Sequence, residues 1–313
     1  MEIAIDERLS GITVKELLFK RMNYSANMVK KLKRDPDGIL VNGCHVTVRR
    51  ILLHGDLLEL KSDDSESDAS SNIVASDLPL DIIYEDDYIT ALNKPCAMPT
   101  HPSHNHYSDT LANALAYRYK VLSVPFVFRP INRLDSDTSG IVLTAKTKPA
   151  AYYLSKALSE GKFRKSYIAL LHGNLYQSGK IELPIRRQFN SSMLRCTDSS
   201  MSQSAKYSLT EYTVIKNFKD GRTLVCAHPV TGRTHQLRVH FSQIGHPIYG
   251  DGLYGVTKDG SDFPRLALHA FRLEFPHPEY GMFTLDAPLR CESLYFNNSY
   301  IPPKGHERVN YDA

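Results

Sequence analysis

Arg133 and Asp135 sit in a short polar stretch directly ahead of the apolar run Ile141–Leu143. That run, bounded by Gly140 and Thr144, reads as a buried strand. Asp137, Thr138, Ser139 and Gly140 are the residue types of a tight, hydrogen-bonded loop leading into it. A carboxylate beside a guanidinium at the edge of a buried strand is a place where chemistry can be done, and it is equally the setting of a structural ion pair. A second stretch, Phe163–Leu171, reads as a strand whose alternation puts Lys165, Tyr167 and Ala169 on one face. The ordinary role for Tyr167 there is a half-buried strand aromatic. A third, Pro229–His240, has a turn signal at Thr231-Gly232, an N-cap in Thr234 and helical character over His235–Ile244, ended by Gly245. Arg238 then lies one turn in, pointing the same way as Thr234.

Metal chemistry draws little support from the sequence. His101, His104 and His106 lie in a proline-broken loop with no paired carboxylate, which makes a poor cage. His235 and His240 are five positions apart, not the three or four of a shared helical face. The five cysteines are scattered and contain no CxxC, so neither a disulfide framework nor a zinc site is indicated.

The elements that must position these groups are short and irregularly mixed, an α+β pattern. Ile82–Ile89 reads as two strands around an acidic turn. Ser108-Asp109 caps a helix through Leu111, Leu115 and Tyr119, and Pro149–Glu160 is a second helix with Gly161 beyond its end. Arg186, Arg187, Arg195 and Lys206 lie in or beside a polar region, Gln188–Ser204, that reads as a long functional loop. Leu266–Leu273 reads as the final strand. The tail 302–313 carries no structural signal.

The first sixty residues have a different character. Thr13-Val-Lys-Glu16 is a capping box opening a short helix, and Ser25 caps a second helix to Arg34 that carries Lys30, Lys31, Lys33 and Arg34. Ile39–Val41 and Cys44–Val48 flank the hairpin dipeptide Asn42-Gly43, and Gly55-Asp56 turns into Leu57–Leu60. The basic helix is either a solvated face or a phosphate contact. The order of elements resembles the small RNA-binding domain first described in the fourth protein of the ribosomal small subunit. Residues 62–77 are rich in Ser and Asp, with too little apolar surface to order themselves, and read as a flexible linker. The expected division is therefore an RNA-binding domain (1–61), the linker (62–77), a catalytic domain (78–301) and the tail. A net charge of +4 permits a nucleic-acid partner without requiring one. No signal peptide or apolar run of about 18 residues is present, so the expectation is a cytoplasmic protein with no membrane association.

The chemistry-bearing stretches occur in one order: Arg133-Leu134-Asp135 with Thr138-Ser139-Gly140, then Lys165-Ser166-Tyr167, then Gly232-Arg-Thr-His-Gln-Leu-Arg238-Val-His240, followed by Gly245-His-Pro247 and Gly250-Asp251. With Glu85-Asp86, Asn93-Lys94-Pro95 and Leu268-His269-Ala270, they resemble the RluA-type family of RNA pseudouridine synthases over about residues 80–290. The resemblance implies a mixed, mainly antiparallel sheet with flanking helices. It also implies a reaction in which the uridine N-glycosidic bond breaks, the uracil rotates, and C1′ is rejoined to C5, with no cofactor and no metal. Asp135 would be the essential carboxylate, attacking C1′ or deprotonating C2′. Tyr167 would pack on the base, and Arg238 would pair with the acid. Arg133 would hold the space of the flipped nucleotide, with Lys165, Arg233 and His235 joining the RNA contacts. Large-subunit ribosomal RNA is the expected substrate, transfer RNA the alternative, and a monomer the expected state. One position departs from the family pattern: Asn132 stands where His usually precedes Arg-Leu-Asp. Two rival readings are an inert RNA-binding protein and a sugar hydrolase using Asp135 and Asp137 as a carboxylate pair.

Overall fold

The computed structural model describes residues 2–289 except 23, 62–72, 190, 192, 199–201, 256–262 and 264. Most of the Ser- and Asp-rich segment and the tail lie outside the described residues. The chain begins with β1 (Glu2–Ala4), then α1 (Val14–Glu16), which runs into a wider π-helical turn at Leu17–Arg21, and α2 (Ala26–Arg34). β2 (Ile39–Val41), β3 (Cys44–His45) and β4 (Leu57–Leu60) complete a four-stranded sheet ordered β1-β4-β2-β3. Both predicted caps form: Thr13 and Glu16 exchange the reciprocal capping-box bonds, and Ser25 accepts from the Met28 N–H. Val29 and Leu32 turn α2 into an apolar cluster with Leu17, Leu18, Ile39 and Leu58. That leaves Lys30, Lys31, Lys33 and Arg34 exposed on its outer face.

The remainder is organised by a nine-stranded sheet. The elements of this part are β5 (Ile82–Glu85), β6 (Ile89–Lys94), α3 (Leu111–Val121), β7 (Ser139–Ala145), α4 (Lys148–Ser159), β8 (Arg164–His172), β9 (Gly179–Glu182), β10 (Ile185–Arg187), β11 (Arg195–Thr197), β12 (Leu209–Asn217), β13 (Arg222–Pro229), α5 (Gln236–Gln243), β14 (Leu268–His277) and β15 (Gly281–Asp286), of which β10 and β11 make a separate two-stranded sheet. The order is β5-β6-β7-β14-β8-β13-β12-β9, with β15 beside the far half of β14. Among the described pairings in this sheet only β7 with β14 is parallel. The fold is thus α+β with a mixed, mainly antiparallel sheet, as the resemblance implied.

β7 shows why its sequence is a continuous apolar run. Ile141 and Leu143 pack with Leu154 of α4, while Val142 faces Leu111, Leu115 and Tyr119 of α3. A strand covered on both faces has no polar alternation. The third cluster joins Leu170, Leu224 and Val225 to Leu237 and Phe241 of α5, seating that helix against β8 and β13.

Several boundaries differ from the sequence reading. α3 is capped by Thr110, whose hydroxyl accepts from the Asn113 N–H, one residue beyond the predicted Ser108-Asp109. α5 begins after His235, not Thr234. β14 is not the last strand: Gly281, at φ +74, turns the chain back as β15. The polar region Gln188–Ser204 is not wholly loop. β11 within it pairs antiparallel with β10, because Asp198 turns inward to accept from Arg186 at 2.9 Å.

Candidate active site

Residues 129–138 form the loop that carries Asp135. Arg129–Ile131 runs beside β7, with Ile131 N–H donating to Leu143 O (2.8 Å) and Ala145 N–H to Arg129 O (2.9 Å). The chain then turns and re-enters the sheet at Ser139. Leu134 is buried among Leu92, Met98 and Val142. Its carbonyl accepts from the Thr100 hydroxyl at 2.8 Å. Pinning Leu134 inward puts its neighbours Arg133 and Asp135 into the cleft. Gly140, at φ +116, allows the re-entry: a Cβ there would stand 2.2 Å from Ala270 O of β14, so no other residue fits the β7–β14 pairing.

Asn132 braces the same loop. Its side-chain amide donates to Ile141 O (2.9 Å) and its carbonyl accepts from Leu143 N–H (2.8 Å), so it reads β7 as a neighbouring strand would. This double role needs one donor and one acceptor on adjacent atoms, which asparagine supplies.

Lys94 holds the loop from beneath. It is fully buried, and its ammonium donates to Pro95 O (2.8 Å), Met98 O (2.7 Å) and Ser136 O (2.9 Å). Burial lowers its pKa to about 8, against the opposing charges of Cys96, Asp135 and Asp137. An ammonium has a proton for each of the three carbonyls, whereas an amine has two. Activity is therefore expected to fall as pH rises through about 8. Stability from this group moves the other way: between about 8 and 10.5 the unfolded chain keeps a proton that the folded chain has released, so its contribution rises with pH. A pH–rate profile beside a pH–Tm profile checks this, and an activity loss that coincides with unfolding would overturn it.

One cleft of about 530 Å³ is lined by Arg133, Asp135, Lys165, Tyr167, Arg233, His235 and Arg238, together with Asn132, Phe163 and Leu268. Lys30, Lys31, Lys33 and Arg34 do not line it; they lie on α2. The three stretches converge because β8, between β14 and β13, presents Lys165 and Tyr167 on one face, while the loop before β7 and the turn after β13 close over them. Gly232 passes close to the Lys165 ammonium, which would stand in ordinary contact, 3.5 Å, from a Cβ there. Burial pushes the Lys165 pKa down. Burial, and then the charge of Asp135, push the Tyr167 phenol well above its ordinary value, so it stays protonated.

Arg238 is buried, and its bidentate partner is Asp251: Nε donates to Oδ2 at 2.8 Å and Nη2 to Oδ1 at 2.6 Å. The expectation that Arg238 pairs with Asp135 is corrected here. Asp251 lies in the turn beyond α5, with its side chain wholly buried. Its Oδ1 also accepts the Leu253 and Tyr254 N–H groups at 2.9 and 3.0 Å, which anchors the carboxylate against the guanidinium. Nη1 of Arg238 lies 3.8 Å from Asp137. Burial disfavours the Arg238 charge, but Asp251, then Asp135 and Asp137, more than offset it and raise its pKa. The side chain that faces Asp135 is instead the ring of His235, with Nε2 3.8 Å from Oδ2. Arg133 is exposed at the rim, Nη2 3.5 Å from the Thr234 hydroxyl.

Four residues without an assigned role in the sequence reading prove to organise the site. Lys94 and Asp251 stood inside quoted motifs. Gln236 clamps the turn before α5, accepting from Thr231 Oγ1 (2.7 Å) and Arg233 N–H (3.0 Å) and donating to Leu209 O (2.9 Å). Tyr254 carries His235, with its hydroxyl 2.8 Å from Nδ1. No sequence signal marked Tyr254, which approaches only through the tertiary fold. Among the described residues, no group of three or more His, Cys, Asp or Glu could hold a metal ion. His240 is directed away from the cleft, its nitrogens at Thr210 Oγ1 (2.9 Å) and Leu183 O (3.0 Å).

A half-buried aromatic side chain, a carboxylate and a cationic rim thus line one concave cleft. Comparison with known proteins agrees in kind. The family model described as RNA pseudouridylate synthase matches residues 88–243. The chain is 36% identical over 268 residues to the Bacillus subtilis (strain 168) protein named Uncharacterized RNA pseudouridine synthase YjbO, covering 85% of this chain and 91% of that one. It is 30% identical to a Nitrosomonas europaea protein named Ribosomal large subunit pseudouridine synthase D, covering 92% and 84%. Human RNA Pseudouridylate Synthase Domain Containing 1 superposes with a TM-score of 0.57 at 32% identity, covering 67% of this chain and 83% of that chain. With the nine-stranded sheet and the converged cleft, these similarities place the chain in the RNA pseudouridine synthase family.

Proposed function

We propose that this isomerase acts on uridines of large-subunit ribosomal RNA, as a monomer in the cytoplasm. In this reading Asp135 is the reacting carboxylate, Tyr167 packs against the uracil, and Arg238 is a fixed cation behind the acid. The observation that carries it is the convergence of these three side chains, from three separate stretches, on one cleft of nucleotide size. The substrate class rests on relatives at 30–35% identity whose names specify the large ribosomal subunit.

The chemistry follows from charge. Leaving of uracil develops positive character at C1′, and a half-exposed carboxylate opposite it stabilises that charge, then bonds to C1′ or takes the C2′ proton. The uracil, still held against Tyr167, rotates to bring C5 to C1′. The new C–C bond forms as the Asp135–C1′ bond breaks, or as C2′ takes back its proton, and the C5 proton leaves as the N1 position regains one. Arg133, Lys165 and Arg233 meet phosphates around the opened stack. A sugar-hydrolase reading with Asp135 and Asp137 as paired acids fits less well, because Asp137 faces Arg238 while Asp135 faces His235.

The test is release of tritium from RNA labelled at uracil C5, with ribosomal and transfer RNA fractions assayed separately from cells lacking the protein. Release confined to the large-subunit fraction supports the substrate, whereas release confined to transfer RNA replaces it. The N-terminal unit is part of the same proposal, with α2 as a phosphate-contacting face. Changing Lys30 and Lys33 to glutamine is expected to flatten the slope of log affinity against log salt by about 0.7–0.9 per residue. An unchanged slope in filter binding would assign that face to solvent.

A further inference from the structure

His235 occupies a costly backbone position. It stands at the N-cap of α5 with φ 57 and ψ 19, the left-handed region that few side chains adopt, although His enters it more often than most, as Asn and Asp do. Ordinary N-caps are extended and use a side-chain oxygen to accept a helix N–H. His235 makes no such bond. Its ring instead enters the cleft, with Tyr254 on one nitrogen and Asp135 facing the other. Strain of this kind persists where the surrounding structure enforces it, and it concentrates at functional sites.

The hydrogen bonds around Tyr254 favour one placement of the ring proton. The Arg195 backbone N–H of β11 donates to the Tyr254 hydroxyl oxygen at 2.9 Å. The phenolic proton is thereby free to point at His235 Nδ1, 2.8 Å away. The neutral ring then holds its proton on Nε2, the atom 3.8 Å from Asp135 Oδ2. Burial, opposed by Asp135 and Asp251 and aided by the charges of Arg238 and Arg195, lowers the ring's pKa and favours its neutral form. Tyr254 also packs edge-on against the ring, centroids 5.5 Å apart, and has the Arg238 guanidinium 5.4 Å from its own centroid.

We propose that His235 is a positioning residue for Asp135: its Nε2–H takes up Oδ2 as the cleft closes on RNA, leaving Oδ1 as the oxygen that meets the ribose. Tyr254 sets the tautomer that makes this possible, and the seating of β11 against Tyr254 ties the acid's orientation to the arm formed by β10 and β11. The 3.8 Å gap is about 0.8 Å too long for a hydrogen bond in the free protein, and such contacts tighten in the substrate complex. The inference rests on the reading of Asp135 as the reacting carboxylate.

Asparagine and glutamine separate a positioning role from a structural one. His235→Asn adopts the left-handed backbone readily but places its amide near Nδ1, out of reach of Asp135. His235→Gln places an amide N–H near the Nε2 position. On whichever RNA the wild type modifies, His235→Asn is expected to lose about 10²-fold in kcat, with KM for RNA and Tm almost unchanged. His235→Gln is expected to recover to within about tenfold of wild type, and Tyr254→Phe, which keeps the ring and loses the hydroxyl, to fall by about tenfold. A purely structural histidine predicts the reverse order, because asparagine suits the backbone better than glutamine. Fully active His235→Asn, a loss confined to KM, or glutamine no better than asparagine in folded protein would each overturn the inference. Asp135→Asn is run beside them: an active Asp135→Asn enzyme overturns the reading of the site together with the inference. An inactive one beside fully active His235→Asn overturns the inference alone.

Discussion

Asp135→Asn is expected to abolish isomerisation, by on the order of 10⁴-fold or more, while leaving a protein that folds and still binds RNA. Asparagine keeps the shape and loses the charge, so it can neither attack C1′, nor take the C2′ proton, nor stabilise positive character at the sugar. Little in the fold depends on that charge. The side chain is about one-third exposed, the His235 ring nitrogen facing it is 3.8 Å away, and the loop is held through Leu134 and the Ser136 carbonyl. Stability is therefore expected to change by less than about 0.5 kcal/mol, and loss of one negative charge beside the cationic rim should leave RNA affinity equal or tighter. Tritium release, thermal melts and filter binding on the same preparation check the three parts. Residual turnover near the wild-type rate would remove Asp135 from the chemistry. A melt lowered by several degrees would show that the loop depends on its charge.

The second large effect concerns the buried pair behind the acid. Asp251→Asn is expected to destabilise the protein by about 3–5 kcal/mol, because it leaves the Arg238 guanidinium in a nearly sealed site with a neutral partner. Activity falls with it, since the cation that raises the local positive potential at Asp135 and Asp137 loses its anchor. Arg238→Met alone strands the Asp251 carboxylate and is expected to cost a similar amount. The double variant Arg238→Met with Asp251→Leu replaces the pair by apolar volume and should regain most of the stability. It should not regain activity. Denaturant melts and turnover of the three variants decide the matter. If the double variant is as active as wild type, Arg238 serves packing alone.

The legibility of the site in the sequence followed the range of the interactions involved. Asp135, Tyr167 and Arg238 are singled out by the family resemblance; local pattern alone puts them in a polar turn before a buried run, on one face of a strand and in a turn leading into a helix, and leaves ordinary structural roles open. The apolar run Ile141–Leu143 announced a strand covered on both faces, and the Thr13–Glu16 capping box and the Ser25 cap formed as written, since each depends on residues within one turn of each other. The pattern could not say which partner each side chain would meet. Arg238 was expected on Asp135 and is held by Asp251, because a carboxylate already fixed by two backbone N–H groups competes better for a buried guanidinium than one on an open loop. The cap of α5 was assigned to Thr234 by residue preference. The Gln236 clamp on Thr231 and Arg233 instead shifts the helix start, leaving His235 in a left-handed conformation that propensity argues against. Tyr254 reaches His235 only because α5 packs on the sheet and the chain beyond it folds back. By itself the sequence determined most of the elements and, through the motifs that resemble the family, which side chains were candidates for the chemistry. Only the tertiary structure decided who stands against whom, because a buried charge or an imidazole tautomer is settled by the neighbours that exclude water from it.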